Sequence, residues 1–343
     1  MDAPATLRSV KALAAAGLIA PEALPALEQV AAKYAIAITP AMADLIETPD
    51  DAIGLQFLPQ PAELQPMPQE SADPVGDDLF SPVPGIVHRY PDRALLKITH
   101  TCAVYCRFCF RREMVGPEGL KPLDGAALDA ALAYLANHNQ IWEVIVTGGD
   151  PFILSPRRIA DLMAKLALID HVKVVRFHTR VPVVDPDRIT ADLVAALRTT
   201  DKAVYVALHA NHIRELTPAA RGACARLIDS GVPMLSQTVL LKGINDTPDS
   251  LGALMRGFVE TRIKPYYLHH PDHAPGTGHF RSTIVEGQNI IRALRGRYSG
   301  LCLPTYILDI PDGHGKVPIG PNYLLDDEVA DPRGTRHPYP PKP

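Results

Sequence analysis

Tryptophan is almost missing from this chain of 343 residues, with a single copy, and aromatic residues together make up only 6%. No stretch reaches the roughly 18 apolar residues that a bilayer-spanning helix needs, and the N-terminus lacks the charged-then-apolar pattern of a secretory leader. A cytoplasmic location is expected. A basic excess is missing too: 34 Lys and Arg stand against 38 Asp and Glu, for a net charge of −4. Nucleic acid and anionic membrane therefore drop out as principal partners. Cysteine is also scarce, and five copies in a chain this long make no disulfide scaffold. Three of the five, however, crowd into the eight positions 102–109, a spacing that favours metal ligation in a reducing compartment. With 47% apolar and 21% charged residues, the composition is that of an ordinary globular protein with a real core.

Proline, by contrast, is plentiful and unevenly placed. Residues 1–58 form a helical lead-in, with helices predicted over 6–17 and 22–35 and broken by Gly17 and Pro21. Residues 59–91 carry eight prolines and are expected to wrap across the main domain without regular elements. The core spans 92–325, and 326–343 form a tail; five prolines from Asp331 onward predict loose order there.

Inside the core, β-branched runs alternate with helical patterns. Strands are predicted at Leu95–Thr99, Trp142–Thr147, Lys173–His178, Ala203–Leu208, Met234–Leu240, Pro265–His269 and Pro304–Leu308. Helices are predicted near 126–137, 156–168, 190–198, 217–229, 248–260 and 284–297. Strict β-α alternation implies an α/β fold with a parallel sheet and right-handed crossovers, and about six units suit a partial or full βα barrel or an open doubly wound sheet. In either architecture ligands gather where strands end and loops begin, which is where every motif below falls.

Directly after the first of these strands lies His100-Thr101-Cys102-Ala103-Val104-Tyr105-Cys106-Arg107-Phe108-Cys109. Three thiolates in CxxxCxxC spacing leave one metal position unfilled, since structural zinc and a fully enclosed cubane each take four protein ligands. An iron–sulfur cluster with one open iron, zinc completed by His100, and three buried thiols all fit these residues. The first two also allow a non-catalytic iron–sulfur or zinc binding protein. Cys224 and Cys302 lie far away along the chain and read as core or surface residues.

The triplet, with Phe108 before its last cysteine, resembles the radical S-adenosylmethionine (SAM) superfamily. Thr147-Gly148-Gly149-Asp150-Pro151, one βα unit later, resembles that superfamily's glycine-rich motif. The likeness extends to the lysine 2,3-aminomutase family from about Leu55 to Asn322. It is carried by Arg89-Tyr90-Pro91-Asp92-Arg93, Cys109-Phe110-Arg111-Arg112, Gln237-Thr238-Val239-Leu240-Leu241-Lys242-Gly243-Ile244-Asn245-Asp246 and Asp312-Gly313-His314-Gly315-Lys316.

The resemblance implies a partial (β/α)6 radical SAM barrel with an N-terminal helical extension, and three cofactors: a [4Fe–4S] cluster, SAM and pyridoxal 5′-phosphate (PLP). It places the cluster on Cys102, Cys106 and Cys109, and SAM against Phe108, Gly148, Gly149, Asp150, His209 and Gln237. PLP falls on Lys316 with Arg89, Tyr90 and Arg93. Arg111 would take the amino-acid carboxylate, and Asp272 and Asp309 the side-chain ammonium of lysine. Glutamate would instead meet like-charge repulsion at those two carboxylates. The implied activity is an isomerase that moves the amino group of lysine from carbon 2 to carbon 3, supplied with electrons by a flavodoxin or ferredoxin.

Only 27 residues follow Lys316, without a cysteine. The family's usual C-terminal zinc and its assembly mode are thus not expected, while a homo-oligomer stays open. The length resembles the branch that makes β-lysine for elongation factor P, although that branch typically lacks the second aspartate found here as Asp309.

Overall fold

The computed structural model describes residues 5–115 and 123–341. The lead-in holds four short helices, α1 (Val10–Ala15), α2 (Leu24–Lys33), α3 (Pro40–Ala43) and α4 (Gly54–Phe57). The first is shorter than its Ala and Leu content predicts because Leu7 pairs instead with Ile38 through two backbone hydrogen bonds of 2.9 and 3.0 Å. Ser9 then caps the helix by accepting from the backbone N of Ala12.

Nine strands follow in one sheet, ordered as in the chain: β1 (Ile86–Tyr90), β2 (Arg93–Thr99), β3 (Glu143–Gly148), β4 (Val174–Thr179), β5 (Ala203–His209), β6 (Met234–Val239), β7 (Lys264–His269), β8 (Thr305–Ile310) and β9 (Gly315–Pro318). Strands β2 to β8 run parallel, while β1 and β9 are antiparallel edges. Between the parallel strands come α5 (Gly125–Asn137), α6 (Pro156–Ala167), the single turn α7 (Val181–Val184) with α8 (Ala191–Leu197), α9 (Pro218–Asp229), α10 (Pro248–Glu260) and α11 (Ile284–Leu294). Three of these helices start the same way. Ser155-Pro156, Thr217-Pro218 and Thr247-Pro248 each place a hydroxyl that accepts from a first-turn N–H ahead of a proline already set at helical φ.

The result is a nearly closed α/β barrel of six βα units. Its apolar core lies between strands and helices, with Val144, Val146, Val175, Phe177, Val206 and Leu208 almost fully buried. The barrel does not close through a β1–β9 ladder. Side chains span that seam: Tyr90 Oη accepts from Lys316 N at 2.6 Å, and Arg89 reaches Asp309 at 3.0 Å.

Three segments depart from expectation. Residues 59–91 contain a regular strand, β1, because Ile86–Tyr90 is a proline-free run that pairs with β2. Lys316 stands on β9, a strand absent from the predicted set, since β8 supplies pairing partners for Gly315–Pro318. The tail folds into a small antiparallel sheet of β10 (Leu324–Leu325), β11 (Glu328–Ala330) and β12 (Arg336–Pro338), in which Pro338 lies on an edge strand and Pro332 in a turn. Among the described residues, no helix is long and apolar enough to cross a membrane.

Candidate active site

The loop after β2 carries Cys102, Cys106 and Cys109 and is fixed from several sides. Tyr105 N donates to Ala37 O (3.1 Å), between α2 and α3, and Arg107 N to Gln56 O (2.8 Å) in α4, so the lead-in holds it from outside. From inside, Gly149 N donates to Thr99 O (2.6 Å) and Asp150 N to Thr101 O (2.9 Å). A Cβ on Gly148 would lie 2.2 Å from Thr99 O and one on Gly149 2.2 Å from Thr101 O, so this pair must be glycine for the β3 end to seat the cysteine loop. Arg107, between the second and third cysteines, buries its guanidinium against Glu63 at 2.5 Å, and Arg112 joins the same carboxylate. Burial alone would raise Glu63; the two guanidiniums outweigh it and hold the carboxyl below its usual range.

The cysteines face a cavity of about 200 Å³ that is also lined by Phe108, Gly148, Gly149, Asp150, His209 and Gln237. All three are unpaired with other cysteines. Burial pushes each thiol up, Cys109 to about 11, so thiolates here need a cation beside them. No group of three or more His, Cys, Asp or Glu among the described residues converges on a point where one metal ion would sit. Phe108 stacks on His209 at 5.6 Å, and burial keeps His209 neutral by lowering it well below its ordinary value. Asp150 lines the cavity, yet its carboxylate accepts from Thr179 Oγ1 (2.7 Å), Phe152 N (3.0 Å) and Arg180 N (2.7 Å), so much of its capacity goes to the protein.

A second cavity, of about 380 Å³, adjoins the first and holds Lys316, Arg89, Tyr90, Arg93, Arg111, Asp272 and Asp309. Phe110, Arg111, Thr147, His178, Gln237, His269 and Asp272 line both cavities and form their common wall. Lys316 Nζ donates to Asp309 Oδ2. The stem of Lys316 is 32% exposed, but its amine turns inward, and burial lowers it from 10.5 to about 8. Arg89 bridges Asp309 (3.0 Å) and Asp77 (3.1 Å), and Asp77 also accepts from Arg111 at 2.9 Å. Arg93 lies nearer the surface, paired with Asp92 at 2.7 Å and 3.8 Å over the Tyr90 ring. Asp272 stands apart from this mesh, and burial pushes its carboxyl up to about 6.

Both cavities retain unused polar capacity. Among the described residues, Arg89 Nε, Arg111 Nε and His178 Nε2 are buried in the cavity walls without hydrogen-bond partners and are open to a polar ligand. His269 is lowered to about 3, mainly by burial, and His178 well below its usual value. The common wall thus carries neutral imidazoles. The structure therefore gathers the residues that the resemblance names: the triplet, Phe108, Gly148, Gly149, Asp150 and His209 on one side, Lys316, Arg89, Tyr90, Arg93 and Asp309 on the other, and Arg111, Gln237 and Asp272 on the wall between; His100 lines neither cavity.

Several residues that shape the site were not anticipated: Asp77, Glu63, Arg180, His178 and His269. His178, Arg180 and His269 stand at the C-terminal ends of β4 and β7, a position that marks them in a βα fold. Nothing local marks Asp77 or Glu63.

Two family models match the chain: the radical SAM superfamily over residues 96–251, and lysine-2,3-aminomutase over 291–330. The first interval contains the cysteine loop and the second contains Lys316. The L-lysine 2,3-aminomutase of Acetoanaerobium sticklandii is 40% identical over 292 residues, which cover 84% of this chain and 70% of that protein. A putative L-lysine 2,3-aminomutase of Aquifex aeolicus is 39% identical over 306 residues, covering 89% and 82%. A glutamate 2,3-aminomutase of Clostridioides difficile is 36% identical over 301 residues, covering 87% and 71%.

Proposed function

This chain belongs to the lysine 2,3-aminomutase family of radical SAM enzymes, and from that premise we propose that it is a PLP-dependent isomerase interconverting L-lysine and β-lysine. Enzymes of the family use a [4Fe–4S] cluster, SAM and PLP, which supply radical generation and stabilisation of an unpaired electron beside the migrating nitrogen. The observation that carries the reading is the wall shared by the two cavities. One cavity offers three buried cysteines, the other an amine of lowered pKa, with only side chains of the barrel interior between them.

In this reading Cys102, Cys106 and Cys109 would hold the cluster, leaving one iron without a protein ligand, and SAM would lie in the cavity edged by Phe108, His209 and Gln237. Lys316 is the attachment point of PLP. An amine lowered to about 8 is about one-tenth neutral at pH 7, a few hundredfold more than an ordinary lysine, and that fraction is nucleophilic. Arg89, whose Nε is free, anchors the phosphate together with Arg93 and Tyr90.

The amino acid then spans the common wall. Arg111 offers its unpartnered Nε to the substrate carboxylate while Asp77 holds its Nη2 in place. Asp272 receives the side-chain ammonium. Asp309 can join it once Lys316 is drawn away from its carboxylate. The neutral His178 and His269 line that wall without adding a competing charge.

Lysine is favoured over glutamate because a glutamate side chain would bring a third carboxylate toward Asp272 and Asp309. The test is a competition: protein loaded anaerobically with iron, sulfide, PLP and SAM, reduced, and given equimolar L-lysine and L-glutamate. β-Lysine as the dominant product is expected, and β-glutamate as the dominant product would overturn the substrate assignment.

A further inference from the structure

The reading above leaves Arg180 unused, although its side chain touches one of the three cysteines. Arg180 follows β4 with a side chain only 6% exposed. The guanidinium lies 4.6 Å from the Phe57 ring centre and 5.4 Å from that of Phe108. Nη2 donates to Gln56 Oε1 at 2.6 Å and to Glu215 Oε2 at 2.7 Å. Glu215 is fully buried and held in turn by the backbone N–H groups of Asn211 (2.8 Å) and His212 (2.9 Å). These contacts fix the guanidinium so that Nη1 donates to Cys106 Sγ, 2.8 Å away. Pairing with Glu215 accounts for Nη2. It gives no reason for Nη1 to meet a sulfur.

We propose that Arg180 is a positioning residue that raises the reduction potential of the cluster by donating a charge-assisted hydrogen bond to the Cys106 sulfur. The inference rests on the assignment of the cluster to Cys102, Cys106 and Cys109. On reduction, one electron passes from a low-potential one-electron donor to the cluster, which goes from the 2+ to the 1+ state; no atom or proton is transferred. The added negative charge spreads partly onto the thiolate sulfurs. An N–H donor fixed at one of them stabilises the reduced form more than the oxidised one, and hydrogen bonding to sulfur is an established means of setting such potentials. Glu215 moderates the effect, because its carboxylate draws on the same guanidinium.

The test uses the full chain reconstituted anaerobically with iron and sulfide, without SAM or PLP, in an EPR-monitored redox titration alongside iron and sulfide analysis. At a fixed poise, Arg180→Gln should show at least a tenfold higher oxidised-to-reduced ratio than wild type, a downward shift of about 59 mV for a one-electron couple. Arg180→Lys retains the charge and should recover most of that shift, while Glu215→Gln should move the potential upward. A fully loaded Arg180→Gln protein with the wild-type ratio overturns the proposal. Should that variant fail to fold or to load, Glu215→Gln decides the matter, and an unshifted or lowered potential there overturns it equally. A wild-type chain that takes up neither iron nor sulfide instead refutes the cluster assignment, a failure separable from an unshifted potential in loaded protein.

Discussion

Asp272→Asn should raise the KM for lysine while leaving PLP attached, and the structure sets the scale of the effect. The carboxyl of Asp272 lies on the wall common to both cavities, where burial pushes it up to about 6 against the pull of Lys316 and Arg111. A charge-assisted hydrogen bond to a buried carboxylate is worth about 1.5–3 kcal/mol net. Its loss corresponds to a rise in KM of roughly 10- to 150-fold. The sign of the pH dependence follows from the direction of the shift. A carboxyl titrating near 6 is ionised above that pH and about nine-tenths protonated one unit below it. The wild-type KM should therefore climb as pH falls through about 6, whereas the variant's KM should be high and flat across this range. Asp272 also raises the Lys316 amine, so its removal lowers that amine further and extends PLP attachment to lower pH. Steady-state kinetics on reconstituted protein from about pH 5 to 8, with borohydride trapping of the PLP linkage, reads both effects. A variant with wild-type KM, or with the same rise on the acid side, would refute the role given to Asp272.

Three further outcomes follow from the same geometry. Lys316→Ala should lose the pyridoxyl mass that borohydride reduction fixes on the peptide containing residue 316, while iron and sulfide content stays at the wild-type level; a retained linkage would move the attachment point elsewhere. Gly149→Ala puts a Cβ 2.2 Å from Thr101 O, so the cysteine loop must shift, and iron content after reconstitution should fall well below wild type even where circular dichroism is unchanged. Glu63→Ala strands Arg107 and Arg112 in a buried site and should cost about 3–5 kcal/mol in denaturant unfolding; a loss under about 1 kcal/mol, the scale of a surface pair, would contradict its place in the clamp.

The parallel strands β2 to β8 and their helices were readable from the chain because each repeats a local pattern, a β-branched run followed by a capped amphipathic segment. The Ser-Pro and Thr-Pro starts of α6, α9 and α10 sharpen that pattern. Strand β1 was hidden by the prolines around it, and β9 by its brevity, since Gly315–Pro318 becomes a strand only through pairing with β8. The same division applies to the site. The cysteine spacing is a local signal, and residues resembling a known family sit together in space. Asp77 is different. It lies in the proline-rich wrap, and its meaning comes from Arg89 and Arg111, which are 12 and 34 positions away. Glu63 meets Arg107 across 44 positions. Such partnerships leave no periodic trace, and for that reason a segment that read as a passive wrap instead supplies two buried carboxylates that organise the site. Asp309 shows a further kind of difference: the resemblance implies a substrate contact, while the folded chain shows it engaged by Lys316 and Arg89.

The account stands or falls on the two cavities acting as one site. L-Lysine carrying deuterium at carbon 3 tests this directly when turned over by protein loaded with iron, sulfide, PLP and SAM under reducing conditions. The expected result is β-lysine accompanied by deuterium in the recovered SAM, as required if the amino acid held between Arg111 and Asp272 lies within reach of the cofactor beside the cysteines. β-Lysine formed while the recovered SAM stays free of label, or loaded protein that forms no β-lysine, would contradict it.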